Sequence, residues 1–544
     1  MRSRTELLLL VACCGFLLFY GLGAFGLLGA DEPRYAQVAR EMLDRGDWIT
    51  PTLNGKPWLE KPPLYYWQAM LAYRVARAFG SGNDGVNERT ARLPGAMDAA
   101  IMIAAIYFFV RRLRPGSELD AALIAASCAG VIGFAHASST DMPLTAALTI
   151  AFLAWYTWYE SGRRLYLAVF YMCLALGMLA KGPVAPALAA VIILLFVAVR
   201  RDSNALLRTL WIPGIALFLV ATLPWYIAVQ MRNPDFFRVF ILEHNLARFS
   251  TNVYHHPQPV WFYLPVFLLA AMPWTLWLIM ALVERVRLIL SKGRQAFVGS
   301  DNSWHLFLIL WMVVPILFFS ASESKLPGYI LPSVPAGALL VAEYLATRLE
   351  QKTKISRPLA IAHGLLCGLL IFAALSAASV ALNHRLAFGQ GTYIAATIAA
   401  VFAIGISAAL VTRSGPQLLR PATMIAVIVS VTAVIRLAAP VIDATQSSRP
   451  VAEIIQDFSH ERVPVALYHV SRVQQYGLDF YLNRPTQIYE EGKVPSDSHL
   501  LITAPNIAAS TTQPEFSALI PGRKVSYLTG VPAQKLAIYW VGKE

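Results

Sequence analysis

The chain has 544 residues, of which 57% are hydrophobic and only 14% charged, and its net charge is +13. A soluble domain has about a quarter of its residues charged, so this composition excludes a water-soluble enzyme and indicates a multi-pass membrane protein. In a membrane protein a basic excess belongs mainly to cytoplasmic loops, so it does not indicate nucleic-acid binding.

Apolar stretches long enough to cross a hydrocarbon core of about 30 Å follow one another along the chain. About thirteen spans are predicted by this criterion, at 7–29, 93–110, 120–136, 142–159, 165–180, 183–199, 209–230, 260–283, 304–321, 327–346, 359–381, 391–411 and 421–440. Segments rich in Lys and Arg, such as "RRLRPG", "ESGRR" and "TRLEQKTKISR", fall at every second loop. The positive-inside rule then predicts a cytoplasmic N-terminus and, with an odd number of spans, a C-terminus outside.

Two outer segments have features of their own. The first outer loop, residues 30–92, contains "YAQVAREMLDRG" and "PPLYYWQAMLAYRVARAF", whose spacing predicts amphipathic helices at the membrane interface. The polar tail combines helix-like "RPVAEIIQDFS" with strand-like "VPVALYHV" and "HLLITA". We therefore predict an all-α polytopic domain over 1–440 and a small α/β domain outside the membrane over 441–544.

An acidic pair, Asp31 and Glu32, closes the first span. One interpretation is a helix cap, because Asp before Pro at a helix start is favourable. The other is a catalytic carboxylate held at the membrane surface. Capping does not exclude catalysis, since a cap also fixes the carboxylate, so both interpretations stay open at this point.

Cations occur in three outer segments where the positive-inside rule disfavours them. Lys61 lies in "WLEKPPLYYW", Lys181 in "MLAKGP", and Lys325 in "SASESKLPGYIL", which also contains Tyr329. A solvated ion pair with Glu60 would explain Lys61, and snorkelling would explain Lys181. Taken together, however, the three lysines predict a phosphate site at the outer surface.

Further candidates lie at the end of one span and in the long outer segment 231–259. Asp141 in "AHASSTDMP" stands at the outer end of a span. The long segment contains Arg248 at helical spacing from an acidic residue, and the adjacent pair His255 and His256. A histidine there needs partners to hold a metal, and Glu60 is the best candidate for a mixed nitrogen–oxygen site.

These motifs, in this order, resemble the bacterial aminoarabinose transferases of lipid A, which have the C-type membrane glycosyltransferase fold. The resemblance runs from about residue 29 to 340. The segments that carry it are "DEPRYAQVAREMLDRGDWITPTLNG", "LEKPPLYYW", "LAKGP", "NPDFFRVFILEHNLARF" and "FFSASESKLPGYIL".

The resemblance implies transfer of 4-amino-4-deoxy-L-arabinose from undecaprenyl phosphate to a phosphate of lipid A, at the periplasmic face of the inner membrane. That reaction confers resistance to polymyxin and cationic peptides. The implied partners are the lipid-linked donor, lipid A and membrane lipids, without nucleic acid, and the chain is expected to be a monomer.

Roles for the candidate residues follow from this chemistry. A developing phosphate charge needs cations and hydrogen-bond donors, which we expect from Lys61, Lys181, Arg248, Lys325 and Tyr329. The acceptor phosphate hardly needs a base. Asp31 and Asp141 are therefore expected to stabilise an oxocarbenium-like sugar or hold its amino group.

By resemblance, a divalent metal, with zinc favoured, is expected on Glu60 and His256, in preference to His255 or His244. This metal would organise the first outer loop around the donor.

Two other functions are alternatives to aminoarabinose transfer. A polyprenyl-phosphate-mannose-dependent protein O-mannosyltransferase of the same fold would need a true base at Asp31, because its acceptor is a hydroxyl. A lipid-linked sugar flippase would place its charges near the membrane midplane. The candidate charges cluster at outer span ends instead, which favours surface chemistry.

Overall fold

The computed structural model describes residues 2–80, 85–247, 258–293, 300–351, 353–383, 385–458, 463–504 and 522–543. Up to residue 446 the described chain is almost entirely helical. Its α-helices are α1 (Arg2–Phe19), α2 (Asp31–Arg45), α3 (Leu64–Ala78), α4 (Glu88–Leu113), α5 (Glu118–Ser127), α6 (Ala129–Ala135), α7 (Asp141–Ser161), α8 (Arg164–Lys181), α9 (Val184–Arg200), α10 (Ser203–Thr209), α11 (Ile212–Arg232), α12 (Tyr263–Ala270), α13 (Thr275–Lys292), α14 (Ser300–Ser320), α15 (Val334–Glu350), α16 (Arg357–Asn383), α17 (Gln390–Val411), α18 (Gly415–Ala433) and α19 (Ala439–Gln446). Wider π-helical turns form at Phe237–Ala247 and Val434–Ala438, and 3-10 turns at Val260–Phe262 and Pro327–Ser333.

Each predicted span contains helix. Among the described residues, 8 helices are long and apolar enough to cross a membrane, or 10 if each of two bent pairs counts as one span. Helices α1, α7 and α9 fall outside that set. The multi-pass architecture is therefore clear, whereas the number thirteen stays a prediction.

Three predicted spans differ in shape from the helices found. The predicted span 7–29 begins as helix α1, which ends at Phe19. The predicted span 120–136 is a pair of helices bent by 64°, and 260–283 is a pair bent by 115°. The sharper bend contains Pro273, whose missing N–H cannot continue the helical hydrogen bonds.

The first outer loop forms a small body of its own against the bundle. Helices α2 and α3 pack together around buried tyrosines, and the short strands β1 (Thr52–Leu53) and β2 (Lys56–Pro57) form a hairpin between them. Leu71 and Val75 of α3, and Phe79 directly after it, are exposed at four-residue intervals. This apolar stripe is what an interfacial helix presents to lipid.

The tail contains a five-stranded sheet flanked by α20 (Arg449–Phe458) and α21 (Arg472–Leu482). Its strands are β3 (Val465–Tyr468), β4 (Gln487–Ile488), β5 (His499–Thr503), β6 (Arg523–Val531) and β7 (Leu536–Lys543), in the order β4-β3-β5-β7-β6. β3 pairs in parallel with β4 and β5, and β7 pairs antiparallel with β5 and β6. The helices and strands predicted in the tail are thus present, while the boundary at residue 440 stays a prediction.

The tail docks directly onto the first outer loop and the segment before it. The Tyr481 hydroxyl accepts a hydrogen bond from the backbone N–H of Leu27 at 2.8 Å. Arg40 of α2 donates to the Phe480 carbonyl at 2.7 Å. Asn54 in the hairpin turn donates to the Asp479 carboxylate at 3.0 Å. One short segment of the tail, residues 479–481, therefore fixes two parts of the first outer loop and the segment before it.

Candidate active site

Helix α2 begins at Asp31, and its cap position is Ala30, which makes no side-chain capping bond. The Asp31 carboxylate instead forms an ion pair with Arg34 one turn further on, and its side chain is 51% exposed. Asp31 therefore does not cap the helix, although the sequence allowed that interpretation. Its carboxylate stays open at the surface of the protein.

Arg34 is enclosed by aromatic rings. Its guanidinium carbon lies 4.8 Å from the ring centre of Trp58, 5.5 Å from that of Tyr35 and 5.4 Å from that of Tyr476 in α21. Burial opposes the charged form, but the nearby Tyr35 and the carboxylate of Asp31 outweigh it, and the pKa of Arg34 is raised. The geometry makes Arg34 the ion-pair partner of Asp31.

Glu32 is buried and forms a junction between three segments. Its carboxylate accepts the backbone N–H groups of Leu28 and Ser138, each at 2.7 Å, and pairs with the fully buried Arg92 at 2.8 Å. Arg92 also donates to the carbonyls of residues 22, 25 and 26. Glu32 therefore fixes the segment that follows α1 against α4 and against the loop that leads to Asp141.

Asp141 and Lys181 meet because α7 and α8 form an antiparallel hairpin. Asp141 begins α7, Lys181 ends α8, and the lysine ammonium forms an ion pair with the aspartate carboxylate. The same ammonium lies 4.3 Å from the ring centre of Tyr329. At Gly328 a Cβ would lie 2.8 Å from the Asp141 carboxyl carbon, so only glycine admits this close approach.

A cavity of about 470 Å³ opens beside this cluster. Its walls are mostly apolar, and its polar lining includes three of the predicted phosphate-binding residues and the predicted metal ligand. The lining residues are Glu60, Lys61, Lys181, Pro183, Val184, Ala187, Phe240, Ile241, His244, Phe318, Phe319, Ser322, Ser324 and Tyr329. Four separate sequence motifs thus converge on one site.

The other predicted residues are placed differently. Asp31 and Asp141 are not among the described residues that line the cavity. Lys325 is buried and donates to the Ser322 carbonyl, so its ammonium holds its own turn while its neighbours line the wall. Arg248 and His256 lie outside the described residues.

Glu60 has a histidine neighbour that the sequence ranked below His256. The Nε2 atom of His244 lies 3.7 Å from the Glu60 carboxylate, and both side chains line the cavity. An imidazole nitrogen and a carboxylate oxygen suit a divalent zinc site. Within the described part of the chain, however, no group of three His, Cys, Asp or Glu side chains is arranged around a common point.

Sequence reasoning missed Arg92 and Tyr476. Arg92 stands at the outer end of α4, where the positive-inside rule disfavours an arginine, so the argument used for Lys181 could have found it. Tyr476 lies in a polar tail with no motif, and nothing in its sequence surroundings indicated a partner 442 positions away, at Arg34.

Comparison with known proteins places the chain among relatives with this layout. A family model described as dolichyl-phosphate-mannose-protein mannosyltransferase matches residues 60–227. A curated relative from Aeromonas salmonicida, an undecaprenyl phosphate-alpha-4-amino-4-deoxy-L-arabinose arabinosyl transferase, is 32% identical over 397 residues, which are 72% of this chain and 69% of the relative. The chain belongs to this arabinosyl transferase family. The motifs at residues 31–55, 58–67 and 179–183 are among those on which the resemblance to this family rested in the sequence.

Other relatives agree over shorter ranges. The transferase of Pseudomonas savastanoi pv. phaseolicola is 33% identical over 64% of this chain. The match spans 63% of that relative, less than two thirds of its length.

Solved structures show the fold. ArnT from Cupriavidus metallidurans, bound to undecaprenyl phosphate, matches with a TM-score of 0.76 at 21% identity, covering 98% of this chain and 97% of that one. The archaeal oligosaccharyltransferase AglB from Archaeoglobus fulgidus matches with a TM-score of 0.53 at 10% identity, covering 99% and 74%. The chain therefore has the predicted C-type glycosyltransferase fold.

Proposed function

We propose that the chain is a polyprenyl-phosphate-sugar-dependent glycosyltransferase that moves 4-amino-4-deoxy-L-arabinose from undecaprenyl phosphate to a phosphate of lipid A. The observation that carries the proposal is the cavity in which Lys61, Lys181 and Tyr329 meet beside apolar walls. A polyprenyl phosphate has the same two parts, a charged head and an apolar chain. The curated relatives and the ArnT structure, whose names contain this donor, support the same chemistry.

The cations have a defined task in this reaction. As the bond between the sugar and the donor phosphate breaks, negative charge grows on the departing undecaprenyl phosphate, while a lipid A phosphate oxygen bonds to the sugar carbon. Lys61 and Lys181 stabilise the departing phosphate, and the Tyr329 hydroxyl donates to it. Arg248 is proposed to join them as a bidentate phosphate ligand.

The two aspartates act on the sugar side. Asp31, open to the surface and oriented by Arg34, is proposed to face the positive charge that develops on the sugar or to hold its amino group. Asp141 orients Lys181 through their ion pair and offers a second carboxylate at the same surface. Lys325 holds the 322–325 turn that forms part of the cavity wall.

A divalent metal, zinc in the first place, is proposed to bind Glu60 together with a histidine. His244 supplies one nitrogen beside Glu60, and His256 is proposed as a further ligand. When bound, the metal would supply fixed positive charge beside the donor site. Elemental analysis after chelation and repletion tests this: wild type should bind zinc and both Glu60→Gln and His244→Gln should lose it. Equal metal content in all three would remove these residues as ligands.

The proposed location is the bacterial inner membrane, with the N-terminus in the cytoplasm and with the site and the tail in the periplasm. The chain is proposed to act as a monomer, and transfer would confer polymyxin resistance. The positive-inside pattern supports this orientation, and the tail lies on the same side as Asp31 because α21 contacts Arg34.

The experiment that tests the function is mass spectrometry of lipid A from cells with and without this gene, alongside growth in polymyxin. Cells with the wild-type gene should carry one added aminopentose on lipid A, and cells with the Asp31→Asn variant should lack it. Asp44→Asn is a matched control, because Asp44 lies in the same helix, pairs with Arg77 and is 47% exposed. A lipid A spectrum unchanged by wild type would refute the proposal, and full activity of Asp31→Asn would refute the role of that carboxylate.

The protein O-mannosyltransferase alternative retains one supporting observation, the family model that matches residues 60–227. The same experiment separates the two. A change in periplasmic glycoproteins without a change in lipid A would favour mannosyl transfer to protein.

A further inference from the structure

A second cavity, of about 570 Å³, lies at the opposite ends of α7 and α8 from Asp141 and Lys181. Its lining includes the aromatic residues Trp158 and Trp211 and the two arginines Arg164 and Arg208. The whole length of two membrane helices separates it from the candidate active site. The proposed transferase chemistry makes no use of it.

The cavity is built by α10, a two-turn helix that is tied to its neighbours by buried hydrogen bonds. At the end of α10, the Thr209 hydroxyl accepts a hydrogen bond from the Trp155 indole at 3.1 Å. The Thr209 carbonyl accepts a second one from the Tyr171 hydroxyl at 2.6 Å. At its start Asp202 accepts from the N–H of Ala205 at 3.1 Å and from Tyr159 at 3.3 Å. The positive-inside rule explains basic residues at this end. It does not explain why α10 is held by hydrogen bonds at both ends so that it forms a wall of the cavity.

The two arginines bring uncompensated positive charge to this hollow. Both arginines are exposed, and neither forms an ion pair with a carboxylate among the described residues. Asp202, the acidic residue of the lining, is occupied by its cap and by Tyr159. Guanidinium groups bind phosphate oxygens in a bidentate manner, so the charge suits a phosphate.

The rim of the cavity is apolar and exposed. Leu207, Leu210 and Ile212 have exposed fractions of 68%, 57% and 78%. In a chain that crosses a membrane, such a rim contacts acyl chains, and Trp side chains favour the same depth, at the headgroups. A free phosphate or a nucleotide would leave this rim without a partner, whereas a phospholipid would cover it.

We propose that this cavity binds an anionic glycerophospholipid from the leaflet at that end of the bundle. Its phosphate contacts Arg164 and Arg208, its glycerol backbone lies against Trp158 and Trp211, and its acyl chains cover Leu207, Leu210 and Ile212. Basic pockets between membrane helices on the positively charged side are suited to such headgroups. The site is independent of the proposed transferase function.

The test measures lipid retained by the purified full chain in native mass spectrometry, after exchange into vesicles of phosphatidylglycerol or of phosphatidylcholine. Wild type should retain phosphatidylglycerol in preference. The variant Arg164→Gln/Arg208→Gln should retain at least fivefold less phosphatidylglycerol than wild type. The variant Arg164→Lys/Arg208→Lys should retain an intermediate amount, which also shows that the fold is intact.

The matched control is Arg163→Gln/Arg201→Gln, which removes the same charge from the same ends of the helices without touching the cavity lining. This control should retain phosphatidylglycerol as wild type does. Equal loss in both double variants would overturn the site, because general surface charge would then explain the retention. Displacement of the lipid by millimolar glycerol phosphate or inorganic phosphate would overturn the lipid assignment.

Discussion

Tyr476 is the contact through which the tail reaches the candidate catalytic carboxylate. Its ring faces the Arg34 guanidinium at 5.4 Å, and Arg34 is the ion-pair partner of Asp31. Replacing Tyr476 by leucine removes one of the rings that enclose the arginine, while a branched apolar side chain keeps the packing against the first loop. We expect Arg34, and Asp31 with it, to lose its fixed position.

The size of the effect follows from the contact itself. A cation–π interaction at a partly desolvated site is worth about 1–2 kcal/mol, and 1.36 kcal/mol corresponds to about tenfold in rate. Tyr476→Leu should therefore lower kcat by about 5- to 30-fold. The KM for the donor should stay within about twofold, because Lys61, Lys181 and Tyr329 lie in a cavity that Tyr476 does not line.

The assay uses the purified full chain with undecaprenyl-phosphate-linked aminoarabinose and lipid A. Tyr476→Phe keeps the ring and should keep kcat, and Tyr527→Leu, on a tail residue 62% exposed, should be silent. Combined with Arg34→Gln, the Tyr476→Leu change should cost nothing further. Wild-type kcat in Tyr476→Leu, or an equal loss in Tyr476→Phe, would refute the reasoning.

Three further predictions concern other parts of the molecule. Lys181→Met should raise the KM for the donor at least tenfold, whereas Lys325→Met, which alters only a turn in the cavity wall, should raise it by less than Lys181→Met does. Steady-state kinetics with a donor titration can decide this. Glu32→Gln leaves the fully buried Arg92 without its anionic partner and should destabilise the chain by about 3–5 kcal/mol. The variant should have a lower midpoint of thermal unfolding, and an unchanged midpoint would contradict the importance of the buried pair. Burial lowers the pKa of His499, so the folded tail binds a proton there less tightly than the unfolded chain, and its stability should fall as the pH drops below about 6.5. Hydrogen exchange across β5 should record this fall, which should vanish in His499→Gln but persist in a variant of the exposed His469.

The sequence located the spans well because hydrophobic length is a local property. Each predicted span contains helix, and the broken span at 260–283 could have been suspected from Pro273. The break at Cys128 could not, because no proline lies there and the N–H of Ala129 bonds instead to the Met272 carbonyl, far away in sequence. The end of α1 at Phe19 could not be predicted either, because the residues after it are held by Arg92, far away in sequence.

The candidate site was predictable only in part, and the division has a physical cause. Lys61, Lys181 and Tyr329 could be grouped because each is a polar residue in a segment that the charge pattern assigns to the same side of the membrane. Lys325 satisfied the same rule, yet its ammonium turns back to the Ser322 carbonyl. The direction of a side chain is set by local hydrogen bonds, and the charge pattern of a sequence does not contain them.

The hairpin of α7 and α8 explains why distant motifs were informative at all. At 1.5 Å per residue, helices of 21 and 18 residues each extend about 27–32 Å, roughly the thickness of the hydrocarbon core. A chain that crosses and returns with so short a turn between must bring Asp141 and Lys181 back to one surface. The ion pair between them is thus a consequence of span length. The contact of Tyr476 with Arg34 has no comparable rule behind it, because no span length constrains the tail and side-chain complementarity determines where it docks. That contrast makes Tyr476 the more stringent test of the structure, and Lys181 the more stringent test of the proposed chemistry.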